Sequence, residues 1–197
     1  MVKRLFDVIF SFIGLVVLLP LFGVIALLIK LGSEGPVFFR GIRIGRFGKT
    51  FRIYKFRTMV ANADELGGSP TADNDPRITR AGRFLRKYKL DELPQLLNVL
   101  KGEMSLVGPR PEVEEYVKLY SEEEKAILSV CPGMTDWASI ENADEGAILA
   151  KSPDPKKIYR EQIWPEKLKL QLKYVREHSL WIDFKIILKT LKVVIFS

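Results

Sequence analysis

The run from Leu5 to Ile29, LFDVIFSFIGLVVLLPLFGVIALLI, contains one charged residue, Asp7. As a helix rising about 1.5 Å per residue, it is long enough to cross a hydrocarbon core of about 30 Å. It is too long for the apolar region of a signal peptide, and no small-x-small cleavage site follows it. A chain with this segment folds beside a membrane. Pro20 lies near the middle; it removes one helix hydrogen bond and pushes Leu19 away from the α region, which predicts a kink or a break. Lys3 and Arg4 precede the run, and Lys30, Arg40, Arg43 and Arg46 follow it. Basic flanks favour the cytoplasmic side. A segment that enters and returns satisfies both flanks, whereas a kinked span satisfies one. Both forms are open on these residues alone.

The 197 residues suffice for one ordinary domain plus an appendage, and 47% hydrophobic content argues against disorder. The net charge of +7 points to a polyanionic partner: nucleic acid, anionic lipid or a phosphorylated substrate. With Cys131 the only cysteine, an intrachain disulfide is excluded, and Cys131 reads as a small buried thiol before a turn. With His178 the only histidine, zinc sites built on several histidines are excluded. Catalysis, if present, runs on carboxylates and basic groups.

From Gly35, the stretch GPVFFRGIRIGRFGKTFRIYKFRTM alternates apolar with basic residues around Gly45 and Gly48 and reads as a β-hairpin. Every charged residue between Gly35 and Ala63 is Arg or Lys, so the hairpin has a basic face suited to lipid headgroups or phosphates, or simply to solvent. Residues 62–75, NADELGGSPTADND, read as a loop. Arg77, Arg80, Arg83 and Arg86 recur every third residue; on one side of a helix these like charges call for an anion. Ser121 and Glu124 form a capping box, and Pro165 marks a helix start. CPGMTDWASIENADEG reads as a loop. The tail SLWIDFKIILKTLKVVIFS is basic, aromatic and amphipathic, suited to a membrane interface or to ordinary core packing.

Within this basic chain, KLDELPQLLNVLKG places Asp91 and Glu92 side by side. Pro94 fits a first helical turn and Gly102 a helix end, which predicts a helix over about 93–101 with the two acids at its start. The helix N-terminus, with Arg86, Lys87 and Lys89, would lower the pKa of Asp91 and keep it ionised. Asp91 could then be a cap in an ion-pair cluster, or a carboxylate that attacks phosphorus or binds Mg²⁺. The turn Gly108-Pro109-Arg110-Pro111 adds a guanidinium suited to bidentate phosphate recognition.

The blocks KFRTM, LDELPQLLNVLKG and MSLVGPRP, together with the hairpin and SLWIDFKIILKT, resemble the bacterial sugar transferases, the monotopic phosphoglycosyl transferases, and the similarity covers nearly the whole chain. The resemblance implies an α/β, mostly helical, membrane-associated single domain. A re-entrant membrane helix at 1–31 would precede a cytoplasmic catalytic domain at 32–197, built with a small β-hairpin and interfacial amphipathic helices. It implies transfer of a phospho-sugar from a UDP-sugar to undecaprenyl phosphate with release of UMP, the first lipid-linked step of glycoconjugate assembly. The aspartate of the family's Asp-Glu dyad, here Asp91, is the implied nucleophile; Glu92 is its partner, and Mg²⁺, held by Asp91 and Glu92, assists. Arg110, flanked by Pro109 and Pro111, would meet the nucleotide, Arg86 a phosphate, and Lys55 and Arg57 would line the substrate site. The implied partners are the two substrates and the bacterial inner membrane at its cytoplasmic face, with no nucleic acid; oligomeric state is left open.

Two departures stand out. The family breaks its membrane helix at Ser-Pro, where this chain has Leu19-Pro20. Many members read Pro-Gly-Ile-Thr-Gly-Trp and then a Gly-Arg, where this chain reads PGMTDWASIENADEG, so no sugar preference carries over. A membrane-anchored basic binding module, and a glycosyltransferase that releases UDP, are the competing readings; the module leaves the Asp-Glu pair unexplained.

Overall fold

The structure is a computed structural model that describes residues 2–66 and 70–196. The apolar run forms α1 (Val2–Gly32), followed by four short strands, β1 (Phe38–Phe39), β2 (Ile42–Ile44), β3 (Thr50–Arg52) and β4 (Lys55–Phe56). Then come α2 (Ala63–Leu66), α3 (Arg80–Lys87), a 3₁₀ segment Leu90–Gln95 continuing into α4 (Leu96–Lys101), and β5 (Ser105–Val107). The C-terminal half contains α5 (Glu114–Val117), β6 (Gly133–Thr135), α6 (Trp137–Glu141), α7 (Glu145–Ala150), α8 (Pro155–Ile158), α9 (Trp164–Glu177) and α10 (Leu180–Phe196). The architecture is mostly helical with small two-stranded sheets, as expected.

Pro20 does not end α1; the helix runs on through it with the ring exposed. A proline forfeits one backbone bond, which the turns on either side tolerate. More informative is the spacing of what α1 buries. Asp7, Ser11, Ile25 and Ile29 are buried, with Gly14, Leu18 and Phe22 half-buried between them. Steps of three and four residues place all seven on one face. The first turns are pinned by polar contacts. Lys3 Nζ reaches Asp183 at 2.5 Å and the Val107 carbonyl at 3.0 Å, and Asp7 accepts from Ser105 Oγ at 3.1 Å and Leu106 N at 3.0 Å. The last turns are pinned by packing: Ile25 and Ile29 join Phe56 and Leu85, with Leu90 against them. Both ends of a helix about 46 Å long are therefore fastened to the same body. Its outward face exposes Leu5, Phe12, Val17, Leu19, Val24 and Leu31, and α10 exposes Trp181, Phe184, Leu188 and Leu191.

The hairpin forms as predicted, in two registers. β2 pairs with β3 (Ile42↔Arg52 through Ile44↔Thr50), and β1 pairs with β4 (Phe38↔Phe56). Asn98 on α4, fully buried, ties the hairpin down: Oδ1 accepts from Tyr54 N at 2.8 Å, and Nδ2 donates to Arg52 O at 2.9 Å and Glu103 at 2.7 Å. The capping box also forms, with Ser121 N donating to Glu124 at 2.7 Å and Glu124 N to Ser121 Oγ at 3.3 Å. Cys131 is half-buried, with Sγ 3.9 Å from the Gly102 carbonyl.

Three expectations change. CPGMTDWASIENADEG is not a loop but contributes β6, α6 and the start of α7. Of the stretch 62–75, expected to be a loop, Ala63–Leu66 is helical, while residues 67–69 lie outside the described residues. The four arginines do not share one helix face: α3 starts at Arg80 under a Thr79 cap, and Arg77 precedes it in an ion pair with Asp75.

Parallel β5 and β6 meet through Gly108 and Gly133, whose backbones touch; a Cβ on Gly133 would lie 2.0 Å from Gly108 N. Neither backbone can retreat without breaking the Gly108 N–Thr135 O and Gly133 N–Pro109 O bonds. Gly133→Ala is expected to destabilise the fold by about 3 kcal/mol or more, read as a fall in Tm.

Candidate active site

Lys89 adopts left-handed backbone, φ 53°, and turns the chain from α3 into the 3₁₀ segment. Non-glycine residues in this conformation are strained and concentrate at functional sites. The turn puts Asp91 and Glu92 in the first turn of the 3₁₀ segment, with Pro94 inside it. The helix predicted over 93–101 is thus 3₁₀ as far as Gln95 and α from Leu96. Asp91 does not cap it; the capping position is Lys89, and no side chain bonds there.

Lys55 of β4 and Arg110 converge on Glu92. Lys55 Nζ lies 2.9 Å from Glu92 Oε1, and Arg110 Nη2 bonds the same oxygen. Arg110 Nη1 donates to the Met134 carbonyl at 3.2 Å. Burial alone would raise the pKa of Glu92, but the two cations and their hydrogen bonds hold it well below the usual carboxylate range. Burial depresses Lys55, partly offset by Glu92. Burial also works against the charge on Arg110, but Glu92 more than offsets it and raises the guanidinium further.

Asp91 behaves in the opposite way. It is buried, and no described residue donates a hydrogen bond to its carboxylate. Burial first, then repulsion from Glu92, pushes its pKa up to about 6, against the pull of Lys55, Arg86 and Arg110. The expected lowering is therefore reversed: desolvation and the charge on Glu92 outweigh the basic neighbours. At pH 7 the ionised form of Asp91 still predominates. The result is an anionic oxygen that few groups solvate, beside a permanently charged partner.

The structure brings four of the sequence-predicted residues together: Asp91, Glu92, Lys55 and Arg110. Arg86 is half-buried on α3, within electrostatic reach of Asp91 and 3.5 Å from the Thr71 carbonyl. Pro109 and Pro111 are buried on either side of Arg110, and Pro109 acts through its carbonyl, which accepts from Gly133 N at 2.9 Å. Arg57 lies elsewhere. Its guanidinium is spent on the C-terminal end of α1, on the Ser33 carbonyl at 2.9 Å and on that of Glu34.

Sequence reasoning passed over the support behind Arg110. Asp136 is fully buried; one oxygen accepts from Arg110 N at 3.1 Å and Gln171 Nε2 at 3.3 Å, the other from Ser139 N at 2.6 Å and Oγ at 2.7 Å. It caps α6 and fixes the Arg110 backbone with one carboxylate. The signal was present as an Asp three residues before a Ser at a helix start.

The opposed pKa directions give a measurable consequence. Asp91 is expected to titrate near pH 6 by carboxyl ¹³C NMR. Glu92→Gln removes the repelling charge and frees Lys55 and Arg110, so the Asp91 midpoint should move down by a unit or more, about 1.4 kcal/mol per unit. An unmoved midpoint would mean that the two acids are not coupled.

The chain matches the family model described as bacterial sugar transferase over residues 1–197. It is 41% identical, over 99% of its length, to the undecaprenyl-phosphate glucose phosphotransferase of Komagataeibacter xylinus, and covers 36% of that protein. It is 37% identical, over 98% of its length, to an N-acetylgalactosaminephosphotransferase of Aeromonas hydrophila acting on undecaprenyl phosphate, and covers 44% of it. It is 40% identical, over 99% of its length, to the uncharacterized sugar transferase EpsL of Bacillus subtilis, of which it covers 88%. The chain thus spans less than half the length of the first two. The match over the full sequence places this chain in the bacterial sugar transferase family.

Proposed function

We propose that this chain transfers a phospho-sugar from a UDP-sugar to undecaprenyl phosphate, with Asp91 as nucleophile. The observation that carries the reading is Asp91 itself, a buried carboxylate without hydrogen-bond donors that is ionised at neutral pH. Such an oxygen has no protein donor to displace before it attacks, and the cations around it draw a diphosphate in. An Asp91 oxygen attacks the sugar-bearing phosphorus, the bond to the UMP oxygen breaks, and UMP leaves. An oxygen of the lipid phosphate then attacks the same phosphorus, the acyl-phosphate bond breaks, and the Asp91 carboxylate returns with undecaprenyl-diphospho-sugar as product. Glu92 stays ionised throughout and keeps Lys55 and Arg110 aimed at the site. Arg110 and Arg86 bind phosphate oxygens, and the rigid Pro109–Pro111 turn sets the guanidinium plane.

The donor set suits Mg²⁺. Glu92 Oε2 and both Asp91 oxygens carry no hydrogen bond among the described residues, and two carboxylates completed by substrate phosphates and water are an ordinary Mg²⁺ environment. Bound there, the ion would neutralise charge on the diphosphate.

The outward apolar face of α1, with both of its ends fastened to the catalytic body, supports a monotopic arrangement at the cytoplasmic face of the bacterial inner membrane. A straight span would carry one end about 30 Å away from that body. In a Cys131→Ser background, cysteines placed before Lys3 and after Lys30 should be labelled from the same side of sealed vesicles; labelling from opposite sides means that α1 spans.

The nucleophile has its own test. Given UDP-sugar alone, the protein should gain the mass of one phospho-sugar, and Asp91→Asn should not. UMP release by Asp91→Asn should fall about 10³-fold or more. An adduct on another residue would displace Asp91 from this role. Release of UDP in place of UMP would make the protein a plain glycosyltransferase.

A further inference from the structure

Between the C-terminal end of α1 and α3 lies an apolar groove of about 400 Å³. Leu28 and Leu31 form one wall, Ala81, Phe84 and Leu85 the other, and Arg80 stands at the rim. Its volume is that of an ordinary ligand pocket. The protein does not close it: Leu31 is 77% and Phe84 55% exposed.

The groove joins two regions already described. One wall belongs to α1, so the groove opens on the same side as the apolar face of that helix. Its floor, Leu85, belongs to the cluster of Ile25, Ile29 and Phe56 against which Leu90 packs, and Leu90 immediately precedes Asp91. The floor of the groove is thus linked through one packed cluster to the residue before Asp91. Charge narrows the choice of occupant. The side chains of Arg80 and Arg83, exposed on α3, have no hydrogen-bond or ion-pair partner among the described residues. Arg86, one turn on from Arg83, acts on Asp91. An apolar trough bordered by a cationic stripe that ends at the nucleophile is complementary to an amphiphile with an anionic head, and neutral lipid would leave that stripe unmatched.

Building on the phospho-sugar transfer reading, we infer that this groove holds the head-proximal isoprene units of the lipid-phosphate acceptor, while Arg80, Arg83 and Arg86 lead its phosphate towards Asp91. The groove is too small for a long polyprenyl chain, whose remainder lies in the bilayer. A bulky ring on either wall fills it without touching the dyad or the cations around Glu92.

The test uses the full chain in phosphatidylglycerol–phosphatidylethanolamine vesicles, with Ala81→Trp filling the groove from α3 and Leu28→Trp from α1. Phospho-sugar adduct formation from UDP-sugar alone, read by intact mass, should match the unmodified protein and thereby report an intact fold. KM for undecaprenyl phosphate should rise about tenfold or more. KM for a phosphate bearing a single isoprene unit should rise clearly less, since that acceptor fills only the near end of the groove. Unchanged KM for the long acceptor, or equal change for both acceptors, overturns the assignment. Weakened vesicle flotation without a KM change also overturns it, because the groove then holds bulk phospholipid. If one variant loses adduct formation, the other decides; loss in both makes the groove structural and ends the proposal. Failure of the unmodified protein to form an adduct is a separate result that removes the transfer reading on which the inference rests.

Discussion

Glu92 is the charge around which the site is assembled. It draws Lys55 from the hairpin and Arg110 from the turn after β5 onto one oxygen. Each cation is costly to bury alone, and each is stabilised by an anion that stays ionised because both are there. The neighbouring carboxylate experiences the other side of the same arrangement. At Asp91, desolvation and the repulsion from Glu92 outweigh the pull of Lys55, Arg86 and Arg110, so its proton affinity rises. Two adjacent acids in chemically similar sequence surroundings thus acquire opposite characters, and such a division commonly marks acid and base roles in enzymes.

The supports of this cluster come from distant parts of the chain. Asn98 holds the hairpin that carries Lys55, while Asp136 and Gln171 hold the backbone of Arg110. The contact between Gly108 and Gly133 sets how close the two strands come and hence where Arg110 stands. These are positional constraints: none of the supporting groups meets Glu92, yet each limits where its partners can be.

Much of this was legible in the sequence. The apolar run, the hairpin with its glycine turns, the Ser121–Glu124 box and the helix start at Pro165 follow from local chemistry that acts within a few residues. The dyad and Arg110 were legible because charge at a turn is conspicuous. Asp136 was not, since its value depends on Gln171 and Arg110 arriving from 35 and 26 residues away. The direction of the Asp91 pKa was misjudged for a related reason. Counting basic neighbours along the chain ignores burial, and burial is set by packing that no short window contains. The partners of Arg57 were out of view for the same reason: the carbonyls of Ser33 and Glu34 reach it from more than 20 residues away.

That placement of Arg57 has a mechanical consequence. Its guanidinium holds the carbonyls of Ser33 and Glu34 where α1 ends, and two residues before it Lys55 grips Glu92. The strand between them is too short to flex, so it works as a stiff bracket between the membrane helix and the catalytic charge cluster. A displacement of the end of α1 would therefore be passed through two residues to the Lys55–Glu92 ion pair and the cluster built on it.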